Sequence, residues 1–305
     1  MAKGEHEGYG AGPRLQVLLT AILFSTGGAV IKATDLTGWQ VAGLRCGIAG
    51  IAILLLMPSS RRHWSRRTWL VGCAYAGALI CYALANKLTT AANTIFLCST
   101  SPVYVLLLGP WVLKEPVRRR DLLLSLVFAL GLGLVFLDAP RQYATAPEPL
   151  KGNILAVLSG FFFAWVVIGL RALASRSPAG GSPAASAMVA GNLIGFALCL
   201  PAALPLVEVS ARDWALVGYL GVVQIAVAYL LLASALRRIP AFEASLLILL
   251  EPVLNPLWAW WLHGEAPGRL ALAGAGLIIL GTAALTLISA WREKRAAAAY
   301  SASGQ

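Results

Sequence analysis

Charge is scarce in this sequence. Charged residues fill 12% of its 305 positions, and 59% are hydrophobic, with a mean hydropathy of +0.76. Soluble domains carry about 25% charged residues. No soluble core could hide this much apolar surface, so the chain reads as an integral membrane protein. Cysteine is sparse as well. Cys46, Cys73, Cys81, Cys98 and Cys199 all lie in apolar runs, and none forms a CxxC pair. They read as small buried hydrophobes, with neither disulfides nor a metal site inferred. The histidines, His6, His63 and His263, have no ligand spacing. No Gly-x-Ser-x-Gly, His-Glu-x-x-His or GxxxxGK[ST] run occurs. Gly131-Leu132-Gly133 lies inside an apolar run with no strand before it, so helix packing explains it better than a phosphate loop. These absences argue against an enzyme, an ATP-driven pump and a bound cofactor.

What is present is a succession of apolar runs of about 20 residues, the length of a helix that crosses a bilayer; barrel strands are shorter and alternate. Ten candidate spans fall near 15–32, 38–57, 68–86, 90–112, 121–138, 151–171, 184–203, 212–235, 240–262 and 269–289. The first is not read as a signal peptide, because its sequence recurs later as a full segment. The expected fold is an all-α integral membrane protein of ten transmembrane helices.

The cations orient it. With the amino terminus, the loops after even-numbered spans and the carboxyl terminus on one side, that side holds 17 of the 24 Lys and Arg residues, including Arg61, Arg62, Arg66, Arg67, Arg118, Arg119 and Arg120. The other side holds six: Lys32, Lys87, Arg141, Lys151, Arg212 and Arg269. By the positive-inside rule both termini are cytoplasmic. The net charge of +11 then marks orientation and requires no nucleic-acid partner.

The sequence also repeats itself. Shifted by 150, Pro102 meets Pro252, Ser101 meets Glu251, Glu115 meets Glu265 and Gly131 meets Gly281. Shifted by 139, Phe24 meets Phe163 and Lys32 meets Arg171. The expected layout is a cytoplasmic tail (1–14), a five-helix repeat (15–138), a linker (139–150), a second five-helix repeat (151–290) and a basic cytoplasmic tail (291–305). Five is odd, so the two repeats must lie inverted. In secondary transporters such repeats enclose the substrate site at the membrane midplane.

One stretch, 243–265, carries the most chemistry. Glu251 sits near its middle, followed by Pro252, Asn255 and Pro256. Glu251, Asn255 and Trp258 share a helix face at i, i+4 and i+7. A carboxylate at that depth usually faces a protein interior or a water-filled cavity. A proton-coupling site and an anchor for a substrate ammonium both fit it; so does a neutral acid bonded to a neighbouring helix. Each proline removes a backbone donor and frees a carbonyl one turn earlier. Arg45 lies alone within a span, beside Gly43-x-x-x-Gly47 and among Ala42, Ala49 and Ala52, small residues that let helices approach. It fits a carboxylate-binding group or a structural pairing with a carbonyl or acid near the outer surface. Tyr75, Leu79, Tyr82 and Asn86 form a stripe on the third span, and Ser99, Thr100 and Ser101 lie on the fourth. With Trp165, Gln224 and Tyr229 they suit an amphipathic small solute, though ordinary core aromatics would look alike. Tryptophans near the span ends fit an interfacial belt.

Ten spans in a five-plus-five inverted repeat, prolines in the fourth and ninth, and Lys114-Glu115-Pro116 answered by Gly264-Glu265-Ala266 resemble EamA-type members of the drug/metabolite transporter superfamily. Its length and its Trp- and Tyr-bearing spans are similar to the YddG-type amino-acid exporters. The resemblance implies a bacterial inner-membrane carrier that exports small neutral metabolites, aromatic and other neutral amino acids above all, by alternating access. Its partners would be that solute and membrane lipids. A flippase for lipids or lipid-linked sugars on the same fold is the alternative, with an intramembrane enzyme and a non-transporting scaffold behind it.

Overall fold

The computed structural model describes residues 11–115, 117, 119–137, 146–174, 183–206, 209–254, 258 and 269–303, and every element among them is helical. The reason is the solvent: a lipid-embedded backbone must satisfy its own N–H and C=O groups. Seven helical stretches are long and apolar enough to cross a membrane: Gly12–Ala33, Gly38–Leu56, Arg66–Leu88, Asn93–Leu113, Pro149–Ala174, Pro183–Ala203 and Ala211–Ala235. Two shorter apolar helices cover Asp121–Leu134 and Leu272–Leu285. The chain is a multi-pass membrane protein.

Several expected spans are not single regular helices. The first is α1 (Ala11–Ser25) and α2 (Gly27–Ala33), separated at Thr26. There the hydroxyls of Ser25 and Thr26 donate to the carbonyls of Ile22 (2.6 Å) and Leu23 (2.8 Å), bonds that bend helices. The second and third are unbroken: α3 (Gly38–Leu56) and α4 (Arg66–Leu88), each begun by a capping box, Thr37 with Gln40 and Ser65 with Thr68. The fourth divides into α5 (Ala91–Cys98) and α6 (Ser101–Leu113). Helices α7 (Arg119–Leu137), α8 (Pro149–Ala174) and α9 (Pro183–Ala203) follow. The eighth runs through α10 (Ala211–Tyr219), a π-helical stretch (Leu220–Val227) and α11 (Ala228–Ala235). The ninth starts as α12 (Ala241–Ile248) and resumes as a turn at 251–254. Helix α13 (Arg269–Ser303) continues past 289, through most of the segment expected to be a separate tail.

The breaks in the fourth and ninth spans have the same cause and the same form. Pro102 and Pro252 lack an N–H, and their rings exclude a regular turn before them. Tighter i→i−3 bonds replace it. Thr100 N donates to Leu97 O (3.3 Å) and Val103 N to Thr100 O (3.0 Å); Leu250 N donates to Leu247 O (3.2 Å) and Val253 N to Leu250 O (3.2 Å). The second pair is the first moved along by 150 residues.

Packing shows the same correspondence. Helix α4 lies on α8 and α9, while α1 lies on α11 and α3 on the π-helical stretch; α6 meets α8 as α12 meets α1. Helices α3 and α9 pair, as do α7 and α13. Even a side-chain bond recurs: Ser159 Oγ donates to Ala78 O (3.0 Å), and Thr20 Oγ1 donates to Ala228 O (3.1 Å).

Small residues set the helix spacing, as the Gly43-x-x-x-Gly47 pattern leads one to expect. A β-carbon on Gly43 would come within 3.0 Å of Cys199, and one on Gly47 within 3.0 Å of Phe196, both on α9. At the α4–α9 crossing the backbones themselves come close: a β-carbon on Gly72 would stand 3.0 Å from Gly191 N and 3.2 Å from Ala187 O. Among the cysteines, Cys46 and Cys199 are buried as expected; Cys73 instead lies exposed on the outer face of α4.

Gly72→Ala is therefore expected to cost about 1–3 kcal/mol through overpacking. Gly133→Ala, whose added methyl meets nothing within 4 Å, should leave stability unchanged or raise it by up to about 1 kcal/mol, the helix preference of Ala over Gly. Melting in detergent checks both, and equal melting temperatures for the two variants would contradict the close crossing.

Candidate functional site

The two proline-linked breaks border one cavity. It is lined by Phe24 of α1, Arg45 of α3, Ala78, Leu79 and Tyr82 of α4, Ile95 and Cys98 of α5, Ser99 and Ser101 at the first break, Ser159 and Phe163 of α8, Gln224 and Tyr229 of the eighth span, and Ile248, Leu249 and Glu251 at the second break. About 620 Å³ of empty volume lies among them, some of it continuous with solvent. Both ends of the sequence contribute to the wall.

The rings make up its apolar side. Phe24 and Phe163, matched in the two halves of the sequence, meet edge-on with centroids 6.1 Å apart. Tyr229 stands 4.9 Å from Phe24 and 6.4 Å from Phe163, and its other side meets Tyr75 at 4.5 Å. The polar side is Arg45, Tyr82, Gln224, Ser101 and Glu251. Arg45 is wholly buried, Gln224 and Ser101 nearly so. One guanidinium nitrogen of Arg45, Nη2, donates to Leu79 O on α4. Its Cζ lies 5.8 Å from the centroid of the Tyr82 ring, within the range of a cation–π contact.

Six of the nine predicted site residues line this cavity: Glu251, Ser101, Tyr82, Gln224, Tyr229 and Arg45. Asn255 lies outside the described residues. Trp258 does not line the cavity; its indole N–H donates to Ser25 Oγ (2.8 Å), joining the ninth span to the bend in α1. Trp165 is also elsewhere, on Phe161 at 6.5 Å. On α8 the residues facing the cavity are Ser159 and Phe163, four apart. Trp165, two residues beyond Phe163, is turned about 200° around the helix. The signal for this was in the sequence: Phe163 is the repeat mate of Phe24. The stripe on α4 is divided, with Leu79 and Tyr82 on the cavity, while Tyr75 packs into the core and Asn86 Nδ2 donates to Tyr82 O (3.0 Å). Arg45 pairs with a carbonyl, as one of its two readings held, yet it does so at a cavity wall.

Ionic contacts tie the same helices together away from the cavity. Arg14 Nε donates to Glu243 Oε1 at 2.8 Å, both side chains buried. Arg171 Nε donates to Glu115 Oε1 (2.9 Å) and its Nη1 to Leu236 O (2.8 Å), while Glu115 Oε2 accepts from Ala241 N (3.2 Å) at the start of α12. Glu115 thus caps one helix and holds Arg171 over the end of another, a favourable place for each charge. The chain leaves α6 for Glu115 through Lys114 in a left-handed conformation, φ 58°. Arg14 is ten residues before Phe24, about 15 Å along the helix. At the far end of the same span Lys32 Nζ donates to Thr89 O (3.0 Å), and Lys87 Nζ donates to Thr34 O (2.8 Å). There Asn153 and Asn93, the repeat mates of Arg14 and Glu243, meet through Thr89: its hydroxyl donates to Asn153 Oδ1 (2.9 Å), and it accepts from Asn93 Nδ2 (3.4 Å).

Removing one partner of a buried ion pair costs about 3–5 kcal/mol, whereas an apolar replacement of both is often neutral. Glu243→Gln should accordingly lower the melting temperature sharply, and Arg14→Met with Glu243→Leu should recover most of the loss. A Glu243→Gln protein as stable as the parent would mean that the pair contributes nothing.

Known proteins match this architecture. The sequence pattern of the EamA-like transporter family fits residues 14–137 and again 150–287. The pseudopaline exporter CntI of Pseudomonas aeruginosa (strain UCBPP-PA14) is 26% identical over 282 residues, 89% of this chain and 95% of the exporter. An uncharacterized transporter of Archaeoglobus fulgidus is 30% identical over 91% of this chain and 95% of its own. The uncharacterized transporter YwfM of Bacillus subtilis is 25% identical over 94% and 97%. One solved crystal structure, 20% identical in sequence, aligns with a TM-score of 0.75 over 92% of this chain and 98% of its own, a likeness of fold. This chain belongs to the EamA-like transporter family.

Proposed function

We propose that the protein exports small neutral metabolites, foremost amino acids, across the bacterial inner membrane by alternating access. The observation that carries this reading is the cavity itself: one space, walled by both family-matched segments, with aromatic rings on one side and Arg45, Gln224 and Glu251 on the other. A pocket apolar in the main, with a few convergent polar groups, is the usual form of a small-molecule site. The two segments are read as inverted five-helix repeats with cytoplasmic termini. The repeated proline breaks, the exchanged helix contacts and the paired hydroxyl bonds support that relation; the excess of cations on one side supports the orientation. Rocking of one repeat against the other would expose the cavity to each side in turn. The relative named as a pseudopaline exporter favours export of a metabolite. The aromatic wall, and the similarity to YddG-type exporters, favour an amino acid.

Reconstituted protein should take up labelled phenylalanine and threonine, and leave a sugar phosphate behind. The assay runs with and without an imposed pH gradient, on wild type and Glu251→Gln. Gradient-driven uptake abolished in Glu251→Gln makes Glu251 the proton carrier. Uptake that ignores the gradient makes it a binding or structural group. No movement of either amino acid would overturn the substrate class and direct attention to lipid flipping.

A further inference from the structure

Arg45 is held in an unusual state. Its side chain has no exposed surface, it lines the cavity, and among the described residues only Nη2 donates a hydrogen bond, to Leu79 O, while the guanidinium lies over the Tyr82 ring. Nε and Nη1 have no hydrogen-bond partner among the described residues. A buried donor left unmet is costly, and more so when it is charged. If Arg45 served only to tie α3 to α4, the bond to Leu79 would suffice, and the remaining donors would be a pure loss. Beside it, Tyr82 offers a hydroxyl that is also without a partner among the described residues. These donors point to an anionic group that arrives with the solute. The same polar lining also holds chemistry of the opposite kind: Gln224 Oε1 is a buried acceptor without a partner among those residues, and Glu251 adds carboxylate oxygens.

We propose that Arg45, assisted by the Tyr82 hydroxyl, is the carboxylate-recognition residue of the cavity, so that the transported solutes carry a carboxylate. The proposal rests on the cavity being the transport site, and it does not require the solute to be an amino acid. A carboxylate accepts from Nε or Nη1 of the guanidinium and from the Tyr82 hydroxyl. Each is a charge-assisted bond, stronger than its neutral counterpart. The bond to Leu79 O remains and fixes the guanidinium plane, so little order is gained on binding.

The test compares ligands as well as proteins. Binding of phenylalanine, phenethylamine (no carboxylate) and phenyllactate (no ammonium) is measured by thermal shift on the purified full-length protein. Wild type should bind phenylalanine at least about tenfold more tightly than phenethylamine, the equivalent of one charged hydrogen bond. Arg45→Gln should weaken phenylalanine by about that factor and phenethylamine by less than about twofold, erasing the preference. Tyr82→Phe should show a smaller loss of the same selective kind. A wild type that binds phenethylamine as well as phenylalanine and phenyllactate overturns the proposal, whether or not Arg45→Gln folds. So does an Arg45→Gln protein that weakens all three ligands equally, because that is the mark of a packing role. Binding of phenyllactate without phenylalanine, lost in Arg45→Gln, would retire the amino-acid reading and leave the carboxylate site standing.

Discussion

A proline in a membrane helix removes a hydrogen bond that lipid cannot replace. Pro102 and Pro252 impose this loss twice, at corresponding places, and the protein answers twice with the same tightened turn. Both turns border the cavity, because a non-helical backbone at membrane depth is tolerated only where protein or water surrounds it. The cavity and the interruption of the helices are two sides of one constraint. Everything else serves to hold the interrupted pieces: glycine crossings bring α3 and α4 onto α9, and the knot of Arg171, Glu115 and Ala241 fixes the start of the ninth span.

Much of this was legible in the sequence. Apolar run length places the starts of most described helices within a few residues, since a membrane segment has few other options, while α13 runs well past its expected end at 289. Pro252 marks the break in the ninth span, and the repeat pairs Pro102 with it; Ser101 and Glu251, paired by the same shift, both line the cavity. Local steric chemistry needs no knowledge of neighbours, so it reads through. What did not read through depended on rotation about a helix axis. Trp165 looked suitable by type, yet it lies two residues from Phe163 and so on a different face. Trp258 had a suitable helical spacing from Glu251, and its indole meets Ser25 instead. The bend at Thr26 and the π-helical stretch left no pattern in composition; each depends on one hydroxyl or one extra residue in a turn. The partnership of Arg14 and Glu243, 229 positions apart, is tertiary and had no local sign.

The repeat and its departures divide the labour of the molecule. Where the halves agree, in proline, ring and hydroxyl, they set backbone shape. Where they differ, they set chemistry: Arg14 and Glu243 in one place answer Asn153 and Asn93 in the other. Opening at the first place would pull opposite charges away from each other, and at the second only amides and a hydroxyl. The family pattern, matched twice in one chain, is thus kept for geometry and varied for energetics.

Ser101 and Glu251 show what that variation means for a passenger. They occupy the same position in the two halves, and both face the cavity, but only one is an acid. The chamber has a near-symmetric frame and a lopsided lining. On the proposed transport reading, a passenger with distinct ends has one preferred way to sit, head and tail assigned, whichever side the cavity faces.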